Sequence, residues 1–175
     1  MSKRDSLPTL RQVFDEHARY VWRVLRHLGV PDAELDDLCQ EVFLVVHRQL
    51  PSFEARSKLS TWLYGICVRT ASDYRRRARV RYERTAADPG ASLVASRGLE
   101  PDARFGAKNE LLQLLAQLDE DKRTVLVLYE IEGLGMSEVA EIVGCPVQTA
   151  YSRLHAARAI VLAAAKQAET ATEAP

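Results

Sequence analysis

The stretch Ser137–Arg158, with the sequence SEVAEIVGCPVQTAYSRLHAAR, decides the fold prediction for the second half of the chain. Ala140 is small enough to let two helices approach closely, and Gly144 tolerates a positive φ in a tight turn between them. Pro146 suits the first turn of the second helix, where its missing N–H leaves no hydrogen bond unmade. The stretch therefore predicts a helix-turn-helix whose first helix is capped by Ser137.

Polar side chains occupy the exposed face at the start of the second predicted helix, the position from which such motifs read base edges. They are Gln148, Thr149, Ser152, Arg153, His155 and Arg158. Two packed helices joined by a glycine turn also occur in proteins that never bind DNA, so the spacing alone leaves both interpretations open. Residues 107–175 carry 6 basic and 10 acidic side chains, which disfavours phosphate binding. We therefore expect this unit to bind DNA only when another contact holds it there.

The composition of the 175 residues is that of an ordinary globular protein, with 47% hydrophobic and 27% charged residues. The net charge of zero hides an internal polarity, because residues 1–87 contain 16 basic and 11 acidic side chains. No apolar stretch approaches the length that spans a bilayer, and no apolar run typical of a secretory signal follows the N-terminus. We expect a cytoplasmic protein without membrane insertion.

Catalytic, metal-binding and cofactor-binding patterns are missing from the sequence. The scattered cysteines, Cys39, Cys67 and Cys145, do not have zinc-ligand spacing and do not cluster with the histidines. We find no nucleophile–base pair and no glycine-rich phosphate loop. Core or surface positions explain the cysteines better than a redox role does. We therefore expect neither an enzyme nor a bound cofactor or metal.

Helical periodicity runs through both halves of the chain, and no convincing strand alternation is visible. Between the halves, turn and breaker residues occur without a sustained apolar period, which is typical of a linker. We therefore predict an all-α fold of two small helical domains joined by a flexible linker. The predicted boundaries are 1–85 for the first domain, 86–106 for the linker, 107–168 for the second domain and 169–175 for a disordered tail.

The end of the first predicted domain combines arginines with aromatic residues. Between Arg69 and Arg84 there are seven arginines, and Phe53, Trp62 and Tyr64 precede them. Arginine binds phosphate and stacks on bases, and aromatic rings stack on unpaired bases, so this combination favours single-stranded or melted DNA. The alternative is that Trp62 and Tyr64 belong to the core and that the arginines form a solvated helix end.

An acidic patch interrupts this otherwise basic domain. Asp37, Gln40 and Glu41 are spaced i, i+3 and i+4, so they share one face of a helix, and Asp36 lies beside them in sequence. Carboxylates so close to a DNA-binding surface would weaken DNA binding. The patch therefore suggests docking onto a basic protein partner, with a solvated helix face as the equally supported alternative.

Four segments, in this order, resemble the bacterial RNA polymerase sigma factors of the extracytoplasmic-function type, in the sigma-70 family. They are DDLCQEVF at 36–43, STWLYGI at 60–66, DYRRR at 73–77 and the helix-turn-helix segment at 135–154. The resemblance extends over about residues 10–165. It implies a transcription initiation factor with a helical bundle called region 2 followed by a helix-turn-helix domain called region 4.

The resemblance also implies a role for each candidate surface. Core polymerase would be bound by Asp36, Asp37, Gln40 and Glu41. The −10 element would be read and melted by Phe53, Glu54, Arg56, Ser57, Lys58, Trp62, Arg69, Arg75, Arg76 and Arg77. The −35 element would be read in the major groove by the polar residues of the helix-turn-helix, from Gln148 to Arg158.

The partners implied by the resemblance are core RNA polymerase, through its β′ clamp helices and β flap, and promoter DNA, both duplex and melted. Family members frequently have an anti-sigma factor as well. The chain departs from the family pattern at Tyr151 and Ala156, where basic residues are common, and at Gly65, which replaces a commonly larger residue. Two rival classes are a stand-alone helix-turn-helix regulator, which would need a basic duplex-binding unit, and a decoy for an anti-sigma factor, which would start no transcripts.

Overall fold

The computed structural model describes residues 7–87 and 106–172 of the chain. Every regular element in these two ranges is helical, which confirms the all-α prediction. None of the helices described there combines the length and the apolar character needed to cross a bilayer.

Three helices form the first unit: α1 (Leu10–His27), α2 (Leu35–Gln49) and α3 (Leu59–Ala87). Thr9 caps α1, because its side-chain oxygen accepts a hydrogen bond from the Gln12 N–H at 3.3 Å, and the Gln12 side chain accepts one from the Thr9 N–H at 2.7 Å. The apolar stripes of the three helices meet in one core. Its fully buried side chains include Val13, Val21, Val24, Leu25, Leu35, Val42, Val46, Leu63 and Cys67.

The second unit contains α4 (Gly106–Ala116), α5 (Glu120–Leu126), α6 (Met136–Val143) and α7 (Val147–Thr172). A π-helical turn over Val127–Ile131 continues α5. The buried side chains of the second unit include Leu115, Leu118, Val125, Leu128, Val139, Ala150, Leu154 and Ala157. The core of this unit is therefore built from the same helical periodicity that the sequence shows.

The predicted helix-turn-helix is present as α6 and α7, with a correction to its cap. Gly144 has a φ of +67°, as the tight turn requires. Gly135, rather than Ser137, precedes the first residue of α6, and the Glu138 carboxylate accepts a hydrogen bond from the Gly135 N–H at 3.1 Å. Ser137 lies inside the first turn because the glutamate three residues after Gly135 already satisfies this helix end.

Two predicted boundaries differ from the described helices. Residues 86–87 belong to α3 and residue 106 begins α4, whereas the rest of the predicted linker, 88–105, lies outside the described residues. The backbone of α7 continues through 169–172 of the predicted tail, and 173–175 lie outside the described residues. Helix α7 continues there because its alanine-rich end contains no proline or glycine to stop it.

The two units contact each other. Helix α3 of the first unit lies against α6 of the second. Tyr64 and Glu132, 68 residues apart in sequence, are joined across this contact by a hydrogen bond of 2.5 Å. This packing fixes which side chains of α3 are available to other molecules.

Gly65, a departure from the family pattern, lies in the buried part of α3, and the guanidinium of Arg69 lies over it. A Cβ at this position would lie 3.4 Å from Arg69 Nη1, which is an ordinary van der Waals distance. The space beside Gly65 therefore admits a methyl group in contact with the exposed end of Arg69.

We predict that Gly65→Ala raises the free energy of unfolding by about 0.5–1 kcal/mol, because alanine is the better residue inside a helix. The midpoint of thermal unfolding, followed by circular dichroism, should rise by about 1–4 °C for a chain of this size. Gly133→Ala is the control, because Gly133 has a φ of +70° and its substitution should lower the midpoint. A lower midpoint for Gly65→Ala would contradict the prediction.

Candidate nucleic-acid and protein interfaces

The predicted docking residues lie together on the solvent side of α2. Asp37 and Gln40 are exposed, and Glu41 is partly exposed beside them. Asp36 is also exposed, and its Oδ1 accepts a hydrogen bond from Trp22 Nε1 of α1 at 3.2 Å. The structure therefore presents these four side chains as one polar surface with a net negative charge.

Leu44 extends this surface and was missed by the sequence reasoning. It lies seven residues after Asp37, so it shares the same helix face, and 61% of its surface is exposed. A leucine this exposed in the middle of a polar face is available for an apolar contact with another protein. The i+7 spacing was the signal that could have identified it.

An ion pair connects this docking surface to the arginines of α3. Arg77 Nη2 donates to both carboxylate oxygens of Glu41, at 2.9 and 3.1 Å. The hydrogen bond to Glu41 is the main reason why the pKa of Arg77 is raised above its ordinary value. A residue predicted to bind DNA is thus paired with a residue predicted to bind protein.

The loop between α2 and α3 holds five of the residues predicted to read and melt the −10 element. Phe53 and Trp62 are both half-buried. The centroids of their rings lie 5.0 Å apart. Glu54 and Arg56 form an exposed ion pair. Ser57 and Lys58 are exposed. The loop therefore presents polar side chains beside a pair of packed aromatic rings.

Ala55 in the same loop has a left-handed backbone. Its φ of +53° is the only positive φ at a non-glycine position among the described residues. For a residue with a Cβ this conformation is unfavourable by about 1–2 kcal/mol. Such strain is concentrated in functional loops, which is consistent with a binding role for this segment.

Three of the predicted DNA-binding residues on α3 form a stripe. Trp62, Arg69 and Arg76 are spaced by seven residues, so they lie along one side of the helix. Arg69 and Arg76 are exposed, and Arg76 also pairs with Asp73 at 2.9 Å. We call these three residues the α3 stripe. It combines a partly buried aromatic ring with two exposed cations on one side of the helix.

Arg75 lies on a different side of α3, toward the second unit. Its side chain is only 19% exposed. Nη1 donates to the Leu28 carbonyl at 2.6 Å, and Nη2 donates to Glu120 Oε1 at 2.7 Å. Tyr64 faces the same way and is a core residue with 5% exposure, as the alternative interpretation of the aromatic residues proposed. Neither side chain is available to DNA in this arrangement.

The contact with Arg75 affects the pKa of the Glu120 carboxyl. Burial is the largest influence and works against its ionisation, but the hydrogen bond and charge of Arg75, helped by Ser72 and Arg79, hold the pKa of Glu120 below its ordinary value. The ionised form of Glu120 therefore adds stability above the pKa that it has in the unfolded chain. That stability is lost as the pH falls through its lower pKa in the folded chain.

The exposed face of α7 carries part of the predicted −35 set. Gln148, Ser152 and His155 are exposed and lie within two helical turns of one face. Tyr151, which is 49% exposed, lies between them at i+3 from Gln148 and was not included in the prediction. The i, i+3 spacing from Gln148 was the signal that could have identified Tyr151. We call these four residues the α7 stripe; Thr149 is exposed at its edge.

Both predicted arginines of α7 are paired with carboxylates of their own unit. Arg153 Nη2 lies 2.6 Å from Asp121 Oδ2, and Arg158 Nε donates to Glu130 Oε1 at 2.7 Å. Arg158 also lies over the Tyr129 ring. DNA would have to compete with these carboxylates for either arginine, which agrees with the low DNA affinity expected from the charge of this unit.

Neither a candidate metal site nor a disulfide accompanies these surfaces in the part of the chain that the structure describes. There, no three histidine, cysteine or acidic side chains are grouped so that they could bind a metal ion. All three cysteines are free, and burial raises the pKa of the Cys67 thiol far above its ordinary value. Burial also raises the pKa of Cys39, so burial favours the protonated form of both thiols, which is the weaker nucleophile.

Each of the two units matches the model of a known protein family. Residues 13–81 match the family model for Sigma-70 region 2, and residues 108–161 match that for Sigma-70, region 4. Together the matched ranges cover more than half of the chain. The first lies on α1–α3 and the second on α4–α7, so the resemblance stated from sequence motifs is confirmed.

Curated relatives extend the similarity along the chain. The ECF RNA polymerase sigma factor SigC of Mycobacterium tuberculosis is 35% identical over 147 residues, which cover 83% of this chain and 77% of that protein. The ECF RNA polymerase sigma-E factor of Escherichia coli is 34% identical over 74% of this chain and 72% of its own length. RNA polymerase sigma factor YlaC of Bacillus subtilis is 32% identical over 90% of this chain and 91% of its own.

Solved structures share the fold. The sigma factor RpoE of Bartonella quintana, in complex with the anti-sigma factor NepR, superimposes with a TM-score of 0.71 at 23% identity, over 89% of this chain and 96% of its own. CnrH, in complex with the cytosolic domain of CnrY, gives a TM-score of 0.63 at 24% identity, over 90% of this chain and 88% of its own. The two-unit helical architecture is thus known from experiment.

We predict that Arg75→Ala raises the pKa of Glu120, because burial would then act without the compensating hydrogen bond and charge. Titration of the side-chain carboxyl by NMR measures this pKa directly. Arg79→Ala, which removes a weaker favourable charge, should raise it less. The stability difference between wild type and Arg75→Ala should shrink as the pH falls below about 4, near the ordinary carboxyl pKa. An unchanged pKa in Arg75→Ala would contradict the assignment.

Proposed function

The chain belongs to the extracytoplasmic-function group of the sigma-70 family, and from that premise we propose how its two units divide the work of promoter-specific transcription initiation. As a sigma factor, it binds core RNA polymerase and recognises promoter DNA. The proposal concerns the side chains that make these contacts. The observation that carries it is the ion pair between Glu41 and Arg77, which joins the acidic docking surface of α2 to the arginines of α3.

Core polymerase binds the docking surface of α2. Asp37, Gln40 and Glu41 face basic side chains of the β′ clamp helices, and Leu44 adds an apolar contact between them. Acidic groups give orientation and speed of association, whereas burial of a leucine side chain contributes about 1.5–3 kcal/mol. The second unit binds the β flap and is thereby held near its own DNA site. This division follows the opposite charges of the two units.

The −10 element is read by the loop between α2 and α3 and by the α3 stripe. Arg69 and Arg76 bind phosphates, and the packed rings of Phe53 and Trp62 support an unstacked base. Stacking on an aromatic ring is worth about 1–3 kcal/mol per base, which helps to offset unpairing. Arg75 contributes to this surface only after it leaves Glu120.

The −35 element is read by the α7 stripe entering the major groove. Gln148 and Ser152 supply hydrogen-bonding groups, and Tyr151 and His155 extend the exposed face. Each good base contact is worth about 1–3 kcal/mol of discrimination. Because the unit is acidic, its binding depends on tethering to polymerase, which raises its effective concentration at the promoter.

Regulation and location follow from the same role. RpoE of Bartonella quintana is seen with the anti-sigma factor NepR, and we include an inhibitory protein of that class among the partners of this chain. The chain acts in the cytoplasm, where polymerase and DNA are found. It performs no covalent chemistry of its own, because polymerase forms the RNA bonds, so we place it among initiation factors rather than enzymes.

The test is transcription in vitro with purified bacterial core polymerase on fragmented genomic DNA, with and without this chain, followed by mapping of RNA 5′ ends. New start sites that share two upstream elements at constant spacing are the expected result. Core binding without new starts would favour the decoy alternative. Absence of core binding would overturn the proposal, and promoter binding without polymerase would favour the stand-alone regulator.

We predict that Leu44→Ala weakens binding to core polymerase about tenfold, because it removes most of one apolar contact. Helix content and thermal stability should stay unchanged, since Leu44 is 61% exposed in the free chain. Leu162→Ala, at a leucine of α7 that is 62% exposed, is the matched control and should bind as wild type. Equal losses in the two variants would argue against a specific contact at Leu44.

We predict that Arg69→Ala combined with Arg76→Ala weakens promoter binding by the polymerase complex similarly on different promoter sequences. Each lost phosphate contact reduces the slope of log affinity against log salt by about 0.7–0.9, so two should reduce it by roughly 1.6. Arg11→Ala with Arg19→Ala, at exposed positions of α1, is the control for removal of two charges. An equal change of slope in both double variants would remove the assignment of the α3 stripe.

A further inference from the structure

Two exposed apolar side chains lie at the start of the second helix of the helix-turn-helix. Among the described side chains of the second unit, the exposed large hydrophobic ones are Val147, Tyr151 and Leu162, with exposures of 41%, 49% and 62%. Val147 is the first residue of α7, and Tyr151 follows four residues later, so their side chains are neighbours on the helix surface. We call Val147 and Tyr151 the apolar pair.

The position of the apolar pair is one from which a helix-turn-helix contacts DNA. In such motifs the N-terminal residues of the second helix meet base edges in the major groove. The turn before α7 is of this kind, because Gly144 has a φ of +67° and Pro146 directly precedes Val147. Ala150 and Leu154 are buried and hold the same two turns of α7 on the core. The apolar pair therefore lies on the part of α7 that meets base pairs under the proposed function, on which this inference rests.

Charge and hydrogen bonding are partly used up on this part of α7. Arg153 and Arg158 are both paired with carboxylates of their own unit. The Ser152 hydroxyl donates to the Gln148 carbonyl inside the helix at 3.0 Å, so its proton is already engaged. Attraction to phosphate is also weak for a unit with net negative charge. Apolar contact is therefore an important means of recognition left to this face.

Thymine is the base that suits an apolar contact in the major groove. All four bases present hydrogen-bonding groups there, but only thymine also presents a methyl group, at its C5 atom. The exposed Gln148, next to Val147 in sequence, carries an amide that can bind the N6 and N7 groups of adenine. The start of α7 therefore presents side chains suited to both bases of an A·T pair.

We propose that Val147 and Tyr151 select thymine in the −35 element by burying its 5-methyl group. The contact does not depend on charge, so it suits an acidic unit whose arginines are engaged. It also leaves the ion pairs of Arg153 and Arg158 in place. The −35 element of this chain is thus read by apolar contact as well as by hydrogen bonds.

Replacement of thymine by uracil tests the proposal, because uracil pairs with adenine, keeps the O4 acceptor and lacks only the methyl group. The probe is a promoter fragment identified by mapping of RNA 5′ ends. It is prepared with thymidine or with deoxyuridine in both strands of its −35 element, and the rest of the fragment is unchanged. The complex of core polymerase with this chain is titrated with each form. The readout is the ratio of the two Kd values.

The wild-type complex should bind the uracil form about fourfold more weakly for each methyl group that is buried. Val147→Ala combined with Tyr151→Ser should weaken binding of the thymine form and bring the ratio close to one. Should this double variant fail to fold by circular dichroism, Tyr151→Ser alone replaces it and should lower the ratio. A merely structural effect of either variant would weaken both forms equally and leave the ratio unchanged.

Two further variants are the controls. Tyr151→Phe keeps the aromatic ring and should keep the wild-type ratio. Leu162→Ala removes an exposed apolar side chain further along the same helix and should also leave the ratio unchanged.

The proposal would be overturned by a −35 element without thymine, by equal affinity of the wild-type complex for the two forms, or by a folded double variant that keeps the wild-type ratio. A double variant that loses affinity for core polymerase in the absence of DNA would overturn it as well and assign the apolar pair to a protein contact. Absence of core binding or of new start sites with the wild-type chain would instead overturn the proposed function. The two failures are therefore distinguishable.

Discussion

The carboxylate of Glu132 lies between two units of opposite net charge, almost completely shielded from water. Burial of this group is offset by its partners, because Tyr64 donates a hydrogen bond to one oxygen and Arg23 and His27 lie near it. The same contact determines how α3 is oriented toward the second unit. The side of α3 that contains Tyr64 and Arg75 is therefore occupied, and the α3 stripe is left on the outside.

The ion pair between Arg77 and Glu41 places protein binding and DNA binding next to each other. Both side chains are about half-exposed, so the pair contributes no more than about 1 kcal/mol to stability. A partner that binds Glu41 therefore displaces Arg77 at little cost. The guanidinium lies on the helix that is proposed to bind the −10 element, so under the proposed function docking on polymerase would add a positive charge to the DNA surface.

In the second unit, too, the arginines predicted to bind DNA are paired with carboxylates. Arg153 and Arg158 are both paired with carboxylates of the same unit, and the α7 stripe is formed by polar and aromatic side chains without arginine or lysine. Such a face can distinguish bases by hydrogen bonding but gains little from phosphate attraction. Under the proposed function, DNA binding by this face would therefore depend on support from the rest of the polymerase complex, as the net charge of the unit suggests.

The sequence by itself determined the helices, the turn at Gly144 and the acidic docking patch, because periodicity, turn chemistry and i, i+3, i+4 spacing are properties of neighbouring residues. It also listed Arg75 among the DNA-binding arginines, left Tyr64 undecided and overlooked Leu44 and Tyr151. Only the tertiary structure decided that Arg75 and Tyr64 point toward the second unit. Their partners, Glu120 and Glu132, lie 45 and 68 residues away, and no local pattern encodes a contact over that distance.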